Sequence, residues 1–304
     1  VKIDILVLNY NGKDLLKENL GSVCAAAGKS KHECAVYVVD NVSVDGSIEL
    51  LEKEFPEVRI IRAGKNRVLC SYNEAVASLS SDVVVFLNND MAADDRFVDL
   101  LAAEFEDKKV MFAAPRIMNF DGTYNGGRSR IEFSNGVVKV AVESEKAMEK
   151  GRTQAISTGA FRRGLFLEFG GFDDLYLPGI WEDVDICYRA AIAGYKGVYV
   201  PDSVIYHNES TTFHRVYGRK KKMMLAHRNM FLFVWKNLRD PGMLAQHLLL
   251  LFPRAFLLLV RGNYEVLWGL AEAFKRIPMV LGKRKAAGAG RSGFVLKDRD
   301  VMNA

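Results

Sequence analysis

Three short apolar runs in this chain each stop at a cluster of amide and carboxylate side chains, and that repeated ending limits the folds open to it. Ile3–Leu8 stops at Asn9-Tyr10-Asn11, Ala35–Val39 at Asp40-Asn41, and Val83–Leu87 at Asn88-Asn89-Asp90. Runs of this length with polar boundaries predict buried strands. Between them Leu15, Leu16, Leu20, Val23 and Cys24 recur at helical spacing. Ser43, Asp45 and Ser47 offer caps for a helix over Ile48–Phe55, and Tyr72–Leu79 reads as another helix. Val58–Ile61 and Val110–Ala114 add strands. Strands alternating with helices predict an α/β fold with a mainly parallel, doubly wound sheet. Ligands of such sheets bind outside the carboxyl ends of the strands, so one crevice is expected to collect the three polar endings.

Residues 119–153 leave this pattern. A cluster of Gly, Asn and Ser precedes alternating residues at 131–142, which predict a hairpin turning at Ser134-Asn135-Gly136. Excursions of this kind often carry substrate contacts. Ala155–Phe161 predicts a strand returning to the core, Glu182–Ala193 a helix closed by Gly194, and Val198–Val200 with Val204–Tyr206 the last strands.

Charge divides the chain. Residues 1–212 hold 24 Lys and Arg against 32 Asp and Glu, whereas residues 213–304 hold 18 against 5. The expected organisation is a catalytic domain over 1–212, a basic amphipathic helical segment over 213–285 and a flexible tail over 286–304. Met243–Val260 is richly apolar but contains Gln246, His247 and Arg254, and its longest uncharged apolar stretch, Leu248–Pro253, is far shorter than the ~20 residues that span a bilayer. With Lys275, Arg276, Lys283, Arg284 and Lys285 alongside, the segment is expected to lie against an anionic membrane surface. The alternative is a helical cap on the catalytic domain that serves as an interface in a homo-oligomer.

Several classes are unsupported. No G-x-G-x-x-G follows the first strand and no G-x-x-x-x-G-K-[ST] occurs, so a nucleotide would have to be held by side chains and a metal. Cys24, Cys34, Cys70 and Cys187 form no C-x-x-C pair and are expected to be reduced thiols. No signal peptide is expected in the opening Val1-Lys2-Ile3-Asp4. The basic run Arg219–Lys222 lacks interleaved aromatics, and no nucleic-acid partner is expected.

Four motifs then fall in order: Val38-Val39-Asp40-Asn41-Val42-Ser43-Val44-Asp45-Gly46-Ser47, Phe86-Leu87-Asn88-Asn89-Asp90, Trp181-Glu182-Asp183-Val184-Asp185-Ile186-Cys187-Tyr188-Arg189, and Val198-Tyr199-Val200-Pro201. Together they resemble the family 2 glycosyltransferases over about residues 1–235. The resemblance implies the GT-A fold, a Rossmann-like mixed sheet flanked by helices. It implies that Asp40 receives the ring N–H of a pyrimidine, with Asn9 and Asn11 beside it as amide contacts. Asp90 closes a shortened DXD-type motif and, with His207, would bind Mn²⁺ or Mg²⁺. Asn66, Asn88 and Asn89 fall in the donor region. Asp183 would be the base that deprotonates the acceptor hydroxyl, with Glu182 positioning it. Both open a helix whose dipole is expected to keep them ionised. Arg215 and Arg219 are candidates to steady the departing diphosphate. The chain departs from the family pattern at Val42, Val44 and Asn89, and at Arg67–Tyr72, where Val68 stands near a habitual glycine.

The resemblance implies inverting, metal-dependent transfer of a sugar, rhamnose by its likeness to enzymes of bacterial O-antigen and cell-wall assembly. The donor would be a nucleotide diphosphate sugar, the acceptor a polysaccharide or a polyprenyl-diphosphate-linked glycan. The enzyme would sit peripherally on the cytoplasmic face of the inner membrane. The competing readings are a catalytically silent nucleotide-binding scaffold and a sugar-nucleotide nucleotidyltransferase.

Overall fold

The computed structural model describes residues 1–207, 211–289 and 295–302, with the side chains of 211–216 and 287–289 outside the description. The strands are β1 (Lys2–Asn9), β2 (Glu33–Asp40), β3 (Arg59–Arg62), β4 (Val83–Asn88), β5 (Met91–Ala93), β6 (Val110–Met118), β7 (Tyr124–Gly126), β8 (Ser129–Ser134), β9 (Val137–Val142), β10 (Gly151–Thr153), β11 (Gly159–Arg162) and β12 (Lys196–His207). The helices are α1 (Lys13–Lys29), α2 (Ser47–Glu54), α3 (Ser71–Ala77), α4 (Phe97–Ala102), α5 (Arg163–Glu168), α6 (Glu182–Ile192), α7 (Thr211–Asn237), α8 (Pro241–Val260), α9 (Tyr264–Phe274), α10 (Ile277–Ala289) and α11 (Asp298–Met302).

Eight strands run in the order β10-β12-β6-β11-β4-β1-β2-β3, with β5 on β12 and β7 on β6. β1, β2, β3 and β4 pair in parallel, as do β6 and β12, whereas β11 is antiparallel to both its neighbours. The sheet is therefore mixed and mainly parallel, as expected. The chain order reverses at β1, between β2 and β4. Register puts Asn9 opposite Asp40 and Leu8 opposite Asn88, so the polar endings come level at this switch point.

Burial explains why the strands read as continuous apolar runs. Ile3, Ile5, Val7, Val38, Val83 and Val85 pack on one face beneath α1, α2 and α4. Leu6, Val39, Val84 and Phe86 pack on the other with α3, α5 and α6. Both faces are covered, so no polar alternation survives. All four cysteines are free, and burial pushes the thiols of Cys24 and Cys70 up to about 12.

The hairpin β8–β9 turns at Asn135-Gly136, with φ of 51° and 75° at the two residues. A Cβ at Gly136 would lie 3.1 Å from the carbonyl oxygen of Gln246 and 3.2 Å from the Cα of His247, so glycine lets α8 close against the turn. His247 completes that contact. Its Nε2 accepts from Trp235 Nε1–H at 3.0 Å, which leaves Nδ1–H to donate to the Gly136 carbonyl at 2.6 Å.

Beyond the 212/213 division, Leu232, Phe233, Val234 and Leu238 of α7 are fully buried in one cluster with Trp181 and Tyr188. α11 buries Val301 and Met302, and Asp298 accepts from Tyr188 Oη and from the backbone N–H of Arg239 and Asp240, all at 2.5 Å. α8 is a continuous 20-residue helix despite Pro253, and by length and composition alone it could cross a membrane. One face, carrying Met243, His247, Leu251 and Ala255, is nevertheless packed on the protein, while Leu249, Phe252 and Phe256 are 65–75% exposed.

Candidate active site

A cleft of about 350 Å³ opens where the carboxyl ends of β1, β2 and β4 meet the start of α6. Of the candidate residues, Asn66, Asn88, Asn89, Asp90, Glu182, Asp183 and His207 all line it. Asp90 follows β4 directly, and β5 then pairs antiparallel with the end of β12, setting Met91 opposite His207. His207 Nε2 consequently lies 3.4 Å from Asp90 Oδ1. That oxygen is buried and, among the described residues, accepts no hydrogen bond.

Asn9, Asn11 and Asp40 stand behind the cleft and do not line it. Asn9 is fully buried and bridges two strand ends. Its amide donates to Asp40 Oδ1 and to Ser43 Oγ, both at 3.1 Å, and its carbonyl accepts from Asn89 Nδ2 at 2.7 Å. Asp40 Oδ2 accepts from the backbone N–H of Ser43 at 3.0 Å. Asn11 holds the same loop by accepting from Val44 N–H at 2.8 Å. Gly12 lies over the bridge, where a Cβ would fall 1.9 Å from Asn89 Nδ2. The Asn9 amide is thus spent on holding the strand ends together, whereas Asn11 uses its carbonyl oxygen for the loop.

Arg219 is exposed and lies off the cleft, and the side chain of Arg215 is outside the described residues. The cation that does line the cleft is Lys222, with Tyr217 and Tyr10 beside it. Lys222 closes the basic run Arg219–Lys222, and Gly218, with φ 69° and ψ 164°, kinks α7 just before that run. Val68, near the habitual glycine, keeps a left-handed φ of 51° and also lines the cleft. A β-branched residue there is strained. It is pinned by Asn66 Oδ1, which accepts from Val68 N–H at 2.9 Å, and by Asn41 Nδ2, which donates to the Val68 carbonyl at 3.3 Å.

Both acids that open α6 hold their protons more tightly than exposed carboxylates do. Burial, reinforced by the neighbouring Asp183 carboxylate, pushes Glu182 up to about 8. Burial also raises Asp183. Desolvation outweighs a helix terminus worth roughly 0.3–1 kcal/mol. Glu182 Oε2 is buried and, among the described residues, unpartnered. Asp185 is the opposite case. Desolvation would raise it, but Lys236 and Arg189 hold it well below the usual carboxylate range. Lys236 Nζ is 2.8 Å from both its oxygens, and Arg189 Nε, Asn237 Nδ2 and Tyr176 Oη also donate to it. Asp185 is thus the anchor of the helix that presents Asp183.

The segment entering α6 is strained as well. Ile180 and Trp181 have φ of 73° and 84°. α7 clamps this turn: Asn229 Nδ2 donates to the carbonyls of Tyr176, Gly179 and Ile180 at 2.6–2.9 Å, and Arg228 to those of Tyr176 and Leu177. Residues held so far from ordinary backbone geometry cluster at active sites, where the surroundings over-determine them.

The family model described as "Glycosyl transferase family 2" matches residues 4–166. An N-acetylglucosaminyl-diphospho-decaprenol L-rhamnosyltransferase of Mycobacterium tuberculosis is 24% identical over 76% of this chain and 83% of its own length. Among solved structures, S. aureus TarS (residues 1–349) in complex with UDP-GlcNAc superposes with a TM-score of 0.59 at 18% identity, over 93% of this chain and 84% of that one. GalNAc-T7 with UDP, GalNAc and Mn²⁺ also gives 0.59, at 17% identity over 79% of this chain and 48% of its own.

Proposed function

The chain belongs to glycosyl transferase family 2, and on that premise we propose that it is an inverting, metal-dependent enzyme that moves a sugar from a nucleotide diphosphate donor to a diphosphate-linked lipid acceptor. The observation that carries the reading is the meeting of Asp90, His207 and Asp183 in one cleft. The relative that acts on a diphospho-decaprenol acceptor supports the acceptor class and rhamnose as the sugar. The transferase assignment leaves the scaffold and nucleotidyltransferase readings without support.

The residues present fit a divalent cation. Asp90 offers a buried, otherwise unused carboxylate oxygen, and His207 an imidazole nitrogen 3.4 Å from it. Among the described residues no third His, Cys, Asp or Glu joins them. Two protein donors suit a magnesium or manganese ion that takes its other ligands from substrate phosphates and water. When bound, the ion would neutralise charge on the departing diphosphate.

The chain's own residues supply the rest. Asp183 takes the proton of the acceptor hydroxyl as that oxygen attacks the sugar carbon and the carbon–phosphate oxygen bond breaks. One displacement of this kind inverts the carbon. Burial makes Asp183 a stronger base than an exposed aspartate. Glu182, largely protonated at neutral pH, donates rather than repels and so orients the acceptor or the base. Lys222 offers a positive charge to the leaving diphosphate. The exposed face of α8 and Trp268 of α9, flanked by Arg261 and Lys275, would bring the enzyme to the membrane surface that holds the acceptor.

A thermal-shift screen of UDP-, GDP- and dTDP-sugars with Mn²⁺ tests the donor assignment, since bound ligand stabilises the fold by mass action. The true donor gives the largest shift. No shift with any nucleotide sugar would remove the proposal.

A further inference from the structure

A second cavity, of about 340 Å³, lies on the other side of the Ile180–Trp181 turn. Ile180 faces the donor cleft, whereas Trp181 forms a wall of this second space. The hairpin β8–β9, α7 and α8 enclose it with Val138, Met230, Leu251 and Ala255 among its apolar walls. Its cationic lining comes from Arg254 and Lys139 of β9; the imidazole of His227 also lines it, and burial and Arg254 hold its pKa below the ordinary histidine value. Arg254 is half-buried and, among the described residues, carries no ion pair. Glu265, on α9, is the acid whose charge reaches His227.

The cavity shares α8 with the exposed apolar surface. Leu251 and Ala255 line it from one face of the helix, while Leu249, Phe252 and Phe256 are exposed on the other. α8 is therefore the element that stands between the exposed apolar surface and the cavity. At about 340 Å³ the space falls at the small end of ligand pockets, which run to roughly 300–1,000 Å³. An apolar hole with a guanidinium in its lining fits a chain that ends in a phosphate.

We infer that this cavity binds the first isoprenoid units of a diphosphate-linked acceptor, with Arg254 facing its diphosphate and Trp181 separating the lipid from the donor cleft. The inference rests on the lipid-linked acceptor reading above. It commits to an isoprenoid diphosphate rather than to bulk phospholipid.

The test is direct binding of farnesyl diphosphate to the full chain, by calorimetry and without turnover. Inorganic diphosphate and dihexanoylphosphatidylglycerol serve as comparison ligands. Wild type should bind farnesyl diphosphate at least tenfold more tightly than either. Ala255→Trp, which fills the cavity, and Arg254→Ala should each weaken that binding at least tenfold and leave UDP binding unchanged. If Ala255→Trp fails to fold by circular dichroism, Leu258→Trp, at a half-buried position of the same wall, takes its place. Binding within twofold of wild type in the filled variant, or equal binding of the phosphatidylglycerol, overturns the inference. A wild type that binds farnesyl diphosphate but transfers sugar to no diphosphate-linked acceptor refutes the functional reading alone.

Discussion

Lys236 Nζ lies 2.8 Å from each carboxylate oxygen of Asp185, and both side chains are almost wholly buried. One bond pair thereby joins α7 to the helix that carries Asp183. It also contacts Asp173 at 2.5 Å, on the turn before α6.

Removing the ammonium breaks a buried pair and leaves Asp185 with Arg189 as its charge partner. Lys236→Ala should destabilise the protein by about 3–5 kcal/mol. Thermal unfolding measures this. A chain ended at residue 212 loses the same contact and should not yield a folded catalytic domain. A cooperative melt of that fragment would contradict this.

Asp183→Asn keeps the shape of the site and removes the proton acceptor. Turnover should fall by roughly 10²–10⁴-fold, with the Kd for UDP unchanged. Equal rates for wild type and variant would take Asp183 out of catalysis.

Asp90→Ala and His207→Ala each delete one expected metal donor. Each should raise the Mn²⁺ concentration for half-maximal activity by roughly tenfold or more, a loss of about 1.4 kcal/mol per decade. Chelation should silence the wild type. Activity that survives exhaustive chelation would contradict the metal assignment.

Glu182 binds its proton more tightly folded than unfolded, with its folded value raised to about 8. Its contribution to stability is full below its ordinary range near 4.5 and is lost as pH rises through about 8. Glu182→Gln removes the buried charge, so it should raise the Tm relative to wild type at pH 8–9 and change it little at pH 4–5. A pH-independent difference between the two melts would show that Glu182 titrates normally.

Phe252 and Trp268 are 65% and 67% exposed on the α8–α9 surface. Burying a large apolar side chain is worth about 1.5–3 kcal/mol. Phe252→Glu and Trp268→Glu should therefore weaken binding to phosphatidylglycerol vesicles by about ten- to a hundredfold in co-sedimentation. High salt should weaken binding by the wild type as well. Unchanged sedimentation of both variants would count against membrane contact through this face.

The strand endings were legible because one chemistry serves both fold and site. Asn88, Asn89 and Asp90 end a buried strand and also line the cleft, so a polar cluster after an apolar run marks both. Asn9 and Asp40 share that signature, yet they bond to each other, and only register and distance show it. Asp185 looked like one more helix-start acid because its partners, Lys236 and Asn237, lie some fifty residues on. Lys222 is one of four consecutive basic residues, and only the fold shows that it is the one lining the cleft. In each case the missing information is a long-range contact that no local period encodes.

The Ile180–Trp181 turn is a partition one residue thick, with a polar chamber against one side chain and an oily chamber against the next. Neither chamber can be reshaped there independently. Changing Trp181 to suit a different occupant of its own chamber pulls on the backbone that aims Asp183 into the other. Sequence drift at this step is therefore coupled across both compartments, and swaps that retune one should be sought on α8 or the hairpin instead.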